Sequence, residues 1–389
     1  MPSILFVCKY PLHRMDNLRP KFDGQLAAAR NLGYEVAHLG WDTEGVWLVG
    51  NEQRECLLRS PFAGKGWYPH TLLFFDLIRA ARKALRARMF DVLYVRYIPF
   101  PPTAGGLGRA QRRAGGRLVM EIPTYPQEND IPQKALYRLL LTLNNRFLRR
   151  FTRYVDLIAL IGEKPEGLVY GCPTVNINNG ANLARLPLRV PRNPADGVHL
   201  LLLATMNYYQ GYDRLLGGYN EQTKRLPLYI HLVGNDFDGT AKSLMAEAAR
   251  LGVGERWINH GPQYGPPLDA LFDGCDVGVG GLGESRRGRS VSTELKIRDY
   301  VGRGIPTVYA GEDDMLATPA DFLLQLPNDE SPVDLQAVYD FGLRMKAQTG
   351  VPERMRAYAK AHMAWEDQLR KVLETVRPGS CQPREEANP

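Results

Sequence analysis

Short aliphatic runs alternate with helix-patterned stretches along almost the whole chain, and the alternation occurs twice. The first series reads ILFV (4–7), GQLAAARNLG, YEVAHLG, DVLYVRY, GRLVMEIP and DLIALIG. The second reads HLLLLATM, LYIHLVG, RWINHGP, DVGVGG and IPTVYA, with KSLMAEAARLG and PLDALFDGC between strands. Unbroken apolar runs suit strands buried on both faces, and a helix between successive strands forces parallel pairing. The expected class is therefore α/β, with two Rossmann-like domains. The segment GANLARLPLRVPRNPADG (180–197) lacks periodicity and holds three prolines after Ala184, as a linker would. The expected division is 1–190, 197–360, a final helix over 361–377 and a polar, disordered tail over 378–389.

A chain of 389 residues is long for one core and natural for two domains. No apolar run approaches the roughly 18 residues that span a bilayer. The N-terminus, MPSILFVCKYPLHR, has no basic leader region and reads as a first buried strand. Cys8, Cys56, Cys172, Cys275 and Cys381 are scattered, odd in number and never spaced as metal ligands. A reducing cytoplasmic setting without a metal site or cofactor is expected. Residues 1–195 hold 28 Lys and Arg against 15 Asp and Glu, and the remainder holds 21 against 27. The net charge of +7 thus hides a basic half and an acidic half, and the basic half attracts anions.

Chemistry concentrates in VSTELKIRDYVGRGIPTVYA (291–310). Ser292 and Thr293 stand where they would cap a helix whose free N–H groups and dipole favour a phosphate. Asp299 follows one and a half turns later, where a carboxylate suits a ribose. Gly302 to Gly304 then end the helix and Pro306 opens a strand, which is also ordinary α/β punctuation.

Leu295, Lys296, Ile297, Arg298, Asp299, Tyr300 and Val301, followed by Gly304, Ile305, Pro306 and Thr307, resemble the Leu-Lys-Leu-Phe-Glu-Tyr-Met-Ala-x-Gly-x-Pro-Val helix and turn of retaining GT-B glycosyltransferases of family 4. The resemblance implies two Rossmann-like domains facing a cleft, with a C-terminal helix crossing back to the first. It implies that the carboxylate, usually Glu and here Asp299, holds the ribose of a nucleoside-diphosphate sugar, with no other cofactor. In the family a Gly-Arg-x-x-x-x-Lys-Gly loop neutralises the diphosphate. Its counterpart here runs from Thr205 to Gly211, with Thr205 and Gln210 in place of the Arg and Lys. Since leaving-group charge builds in the transition state, other cations are expected to serve: Arg286, Arg287 or, favoured, Arg289 and Lys296. Gln210, Gly211, Ser292, Thr293 and Glu294 complete the expected donor set. Gly234 and Asn235, in a Val-Gly-x loop, join it because a glycine lets backbone approach a ligand.

Two motifs are expected to be accidental. Asp236-Phe-Asp238 has the form of an Asp-x-Asp metal site that GT-B chemistry does not need. Gly278-x-Gly-x-x-Gly283 precedes SRRGRS and not an apolar helix, unlike a dinucleotide fingerprint.

In the first half, MEIPTYPQEND (120–130) resembles the Glu-Ile-Pro-Thr-Tyr-Pro stretch of bacterial polysaccharide-assembly members of the family. Glu121 and Tyr125 then face the acceptor, although packing explains Glu121 equally well. Tyr10, Lys21 and Gln25 match that subgroup's first loop and helix, so Tyr10, Lys21 and Tyr125 are the expected acceptor contacts. The basic stretches LIRAARKALRARMF and KALYRLLLTLNNRFLRRFTRYV suit either a solvated core helix or a dock on the anionic inner membrane face. Nucleic acid is not expected as a partner, since aromatics are not interleaved with the arginines. The expected activity is metal-independent transfer of a sugar to a lipid-linked or cell-surface saccharide acceptor. The alternative, favoured by the absent Arg and Lys, is a non-catalytic GT-B partner of another transferase.

Overall fold

The structure, a computed structural model, describes residues 1–14, 18–50, 53–97, 102–125, 135–192 and 196–377, with backbone only over 135–141. It divides into two compact units, Met1–Asn178 with Trp365–Pro389, and Asn179–Ala364.

The first unit is built on strands β1 (Ser3–Pro11), β2 (Glu35–Trp41), β3 (Gly45–Val49), β4 (Arg54–Arg59), β5 (Val92–Arg96), β6 (Arg117–Tyr125), β7 (Leu157–Gly162) and β8 (Thr174–Ile177). They form a sheet in the order β4-β3-β2-β1-β5-β6-β7-β8. Pairing is parallel except at β2–β3 and β3–β4, an antiparallel edge that the aliphatic pattern did not anticipate. Helices α2 (Leu73–Ala87), α3 (Ala104–Arg113) and α4 (Ala135–Thr152) serve one face through Leu77, Ile78, Leu107, Leu148 and Phe151. On α4, Leu148 and Phe151 are buried while Leu143 is exposed.

The other face is covered by α1 (Arg19–Asn31) and by α11 (Trp365–Thr375), the last helix of the chain. Trp365, Leu369, Val372 and Leu373 are buried against Ile4, Phe6 and Phe22. Each such side chain contributes about 1.5–3 kcal/mol on burial. The chain thus returns to its first unit, as the expected crossing helix requires, but through 365–375, since α10 (Val351–His362) stays with the second unit.

The second unit holds β9 (Val198–Leu203), α5 (Asp213–Gly217), β10 (Leu228–Val233), α6 (Thr240–Arg250), β11 (Trp257–Asn259), α7 (Pro266–Gly274), β12 (Val277–Val279), α8 (Leu295–Arg303), β13 (Thr307–Ala310), β14 (Leu323–Leu326) and α9 (Leu335–Lys346). Its sheet is wholly parallel, in the order β11-β10-β9-β12-β13-β14. The strand order reverses beside β9, so the carboxyl ends of β9 and β12 flank a switch point where α/β sheets bind ligands.

The unit boundary falls at Asn178 and not near 190. Residues 179–190 belong to the second unit because their backbone is bonded there. Arg189 donates its N–H to the Arg303 carbonyl (2.9 Å), Arg356 reaches the Leu183 carbonyl (2.8 Å), and Ala181 bridges Ala364. Prolines removed helix periodicity from this segment without making it a free linker.

One polar feature crosses this second sheet diagonally. His199 on β9, His231 on β10 and His260 just after β11 form a ladder, with Nδ1···Nε2 distances of 2.9 Å at both rungs. Asp196 accepts from His199 Nε2 at 3.1 Å, and Tyr229 stacks on His199.

Candidate functional site

In the second unit, α8 follows a glycine-rich turn because its packing demands it. A Cβ at Gly278 would lie 2.6 Å from the Tyr300 ring. The Tyr300 hydroxyl donates toward the Leu201 carbonyl (3.0 Å) and accepts from the Leu203 N–H (2.8 Å), pinning α8 over β9. The Gly278–Gly283 pattern therefore serves helix packing.

Helix α8 begins at Leu295 with Glu294 at its N-cap, so Ser292 and Thr293 are not the cap. The reason is a β-bridge between Val291 and Glu312, in which Ser292 donates its N–H to the Glu312 carbonyl (2.7 Å). This keeps the segment extended. Ser292 is fully buried, and Thr293 offers its carbonyl to Asn179 Nδ2 (2.7 Å). Ser292 is thereby removed from the donor contacts expected of it.

Glu294 instead accepts the Gly281 N–H and pairs with Lys296 Nζ at 3.2 Å. Lys296 also donates to Gln210 Oε1 and to the Tyr212 hydroxyl (3.0 Å). Gln210 is uncharged, yet the structure brings the ammonium of Lys296 to it. Gly211, in the left-handed region at φ 68°, lies against the Leu282–Gly283 backbone, and the Gln210 carbonyl accepts from Leu282 N–H at 2.8 Å. Gln210, Gly211, Glu294 and Lys296 thus converge on one place.

Arg289 is buried, with Nη1 3.9 Å from Glu284. Burial, followed by the proximity of Glu294, pushes the Glu284 carboxyl up to about 7. Nothing in the sequence shows that the Glu284–Arg287 turn folds Glu284 inward beside Arg289. Tyr212 was also missed, since a tyrosine between a glycine and an aspartate reads as a surface residue. Arg286 is committed elsewhere, to Asp213 (2.7 Å) and Glu330 (2.8 Å), and stacks on Tyr208, while Arg287 lies over Tyr209.

Asp299 lies one turn beyond Lys296 on α8, half-buried. Among the described residues its carboxylate makes no hydrogen bond and no ion pair. Burial pushes it up to about 6, against the pull of the Arg303 guanidinium. Arg303 itself bonds to Asp269 and stacks on Phe272.

Gly234 has a different reason from the one expected. A Cβ there would meet the Ala204 carbonyl at 1.7 Å, so the glycine is required by neighbouring backbone. Asn235 accepts the Met206 N–H at 2.8 Å, tying the loops after β9 and β10 together. Asp236 and Asp238 accept the first-turn N–H groups of Lys242 (3.2 Å) and Thr240 (3.0 Å), so both carboxylates serve the start of α6, whose N-cap is Gly239.

In the first unit three of the residues expected to meet an acceptor are buried and paired with one another or with neighbours. Glu121 is fully sequestered on β6, where it accepts from Lys21 (2.9 Å), Arg96 (3.0 Å), Tyr94 (2.8 Å) and Gln25 (2.5 Å). Burial alone would raise its carboxyl, but Lys21 and Arg96 outweigh it and hold it at about 2. Burial also draws Lys21 down to about 8, against the pull of Glu121. Lys21 therefore neutralises Glu121. Tyr10 is buried too, donating to Asp23 at 2.6 Å. Tyr125 remains half-covered at the end of β6; the residues 126–134 that follow it lie outside the described residues.

No protein-family profile and no curated protein sequence matches the chain. Solved structures do. Sucrose-phosphate synthase from Thermosynechococcus elongatus shares 15% identity at a TM-score of 0.60, over 96% of this chain and 97% of that one. Anabaena HepE in complex with UDP and glucose shares 14% at 0.60, over 97% and 99%. The catalytic domain of Starch Synthase IV from Arabidopsis thaliana, bound to ADP and acarbose, shares 9% at 0.63, over 95% and 99%. The likeness is one of fold, and the two parallel-sheet units of this chain are those of the GT-B fold.

Proposed function

We propose that the chain is a retaining GT-B glycosyltransferase that moves a sugar from a nucleoside diphosphate to a saccharide acceptor, lipid-linked or part of a cell-surface polysaccharide. The observation that carries this reading is Asp299, a desolvated carboxylate without a partner on the helix that also carries Lys296. A group that costs free energy in the empty protein is stabilised by a ligand that satisfies it. Two vicinal ribose hydroxyls do so. The diphosphate replaces Gln210 as a partner of Lys296, exchanging a neutral oxygen for a charged one, and Arg289 adds its charge beside Glu284. UDP, UDP and glucose, or ADP in the similar folds supports a nucleotide donor.

In the transfer, the bond from the anomeric carbon to the phosphate oxygen breaks as the acceptor oxygen attacks on the same face. The acceptor proton passes to the leaving phosphate, so the sequestered Glu121 is not needed as a base. The positive excess of the first half, including an open groove on α4 lined by Arg146, Arg149, Arg150 and Arg153, supports a peripheral position on an anionic membrane, at its cytoplasmic face.

The test is thermal shift and calorimetry with UDP, GDP, CDP and ADP sugars, since a donor bound only by the native state raises the melting temperature. One donor is expected to bind, to be slowly hydrolysed without acceptor, and to lose affinity on Asp299→Ala. Absence of donor binding, or binding without any hydrolysis or transfer, would sink the enzyme reading and favour the non-catalytic alternative.

A further inference from the structure

We propose that the loop after β4, together with the exposed stripe of α2, is the element by which the first unit enters an anionic lipid bilayer. Phe62 and Trp67 are 44% and 48% exposed, with ring centroids 5.6 Å apart. Their exposure is built in. Between and beside them Ala63 and Tyr68 are buried, and the Tyr68 hydroxyl donates to Asp76 at 2.9 Å. The intervening backbone is a run of consecutive turns, with Lys65 N–H on the Phe62 carbonyl (2.9 Å) and Tyr68 N–H on the Lys65 carbonyl (3.0 Å). A loop anchored at two core residues thus holds two large aromatic rings outward.

Helix α2 continues the surface. Its exposed positions include Phe75, Arg79, Lys83 and Arg86, spaced as one helical face, with an aromatic residue leading three cations. Trp and Phe beside Lys and Arg match the interface of a bilayer, where rings lodge at headgroup depth and cations meet lipid phosphates. Saccharides would instead call for free hydrogen-bonding side chains beside the rings; Thr71 spends its hydroxyl on the Trp67 carbonyl, and besides His70 the exposed polar residues of the loop and this helical face are the cations Lys65, Arg79, Lys83 and Arg86. This charge complementarity selects an anionic bilayer over a neutral surface.

The inference deepens the membrane reading above and does not depend on the transfer chemistry. Full-length protein should co-sediment with vesicles of phosphatidylglycerol and phosphatidylcholine and bind pure phosphatidylcholine at least about tenfold more weakly. Phe62→Ser with Trp67→Ser should weaken binding to the mixed vesicles about tenfold or more at an unchanged melting temperature. Trp67→Phe should retain binding while removing most of the fluorescence quenching by brominated lipid tails, because Trp41, Trp257 and Trp365 are buried and Trp47, half-buried, is covered by the Arg54 guanidinium. If the natural protein ignores anionic vesicles, the membrane reading and this one fall together. If it binds but the double variant binds equally well, or quenching survives Trp67→Phe, the aromatic loop is not the insertion element and the arginines of α4 carry the contact.

Discussion

Glu121 and Asp299 are both carboxylates on framework elements of a Rossmann-like unit, and their surroundings are opposite. Glu121 in the first unit accepts from four side chains and is held at about 2. Asp299 in the second has no such partner and is pushed up to about 6. The first has spent its hydrogen-bonding capacity on the fold, and the second retains it for a ligand. A perturbed carboxylate alone does not mark a binding site; unspent acceptor capacity does.

The largest effect should come from Glu121. Replacing it by Ala leaves Lys21 and Arg96 beside a void without counter-charge, and should lower unfolding stability by about 3–5 kcal/mol in urea titrations. Should Glu121→Gln instead keep full stability and abolish turnover, Glu121 is a chemical group and the contrast with Asp299 collapses.

Asp299→Asn should do the reverse. Donor affinity should fall about tenfold or more, as expected for losing charge-assisted hydrogen bonds, while stability at neutral pH rises by about 1–3 kcal/mol because a costly desolvated charge is gone. Calorimetry and melting curves on one sample read both. A loss of stability together with affinity would make Asp299 a structural residue.

A smaller effect follows from acidity. Because Asp299 titrates near 6, donor affinity should improve as pH rises from 5 to 7, and the Asn variant should flatten that profile. Glu121 answers at lower pH: held below its ordinary 4.5, it contributes stability that is complete above that value and lost as pH falls toward 2. The smallest change is expected for Gln210→Ala, which removes one neutral partner of Lys296 and should alter donor affinity within about threefold.

Most of the fold could be read along the chain because each strand is aliphatic on both faces and each crossover is a helix. The β3–β4 edge escaped because Gly45–Val49 is short and Arg54–Arg59 holds only three consecutive apolar residues between charges. At the site, the spacing from Lys296 through Asp299 to Gly304 was legible because helix geometry is local. Long-range pairing was not. Lys21 and Glu121 each look like a ligand contact in sequence, and only the register of β6 beside β5 and the placement of α1 reveal that they satisfy each other. Ser292 misled for a related reason: a hydroxyl before a helix reads as a cap unless one knows that Glu312 holds it in a bridge.

The histidine ladder of the second sheet has a consequence in counted protons. With Asp196 accepting from His199, each neutral ring must donate from Nε2 and accept at Nδ1, one hydrogen per rung. A proton added to His231 puts a second hydrogen on one of its two rungs unless a neighbouring ring switches tautomer. Burial and the neighbouring rings hold His231 down at about 4, so the native ladder takes up fewer protons than the unfolded chain between that value and the ordinary 6.5. Stability of this sheet should therefore fall as pH drops through that interval, and His231→Gln should blunt the fall in acid-unfolding curves. Three residues that touch no part of the proposed donor site thus set the acid limit of the sheet that supports it.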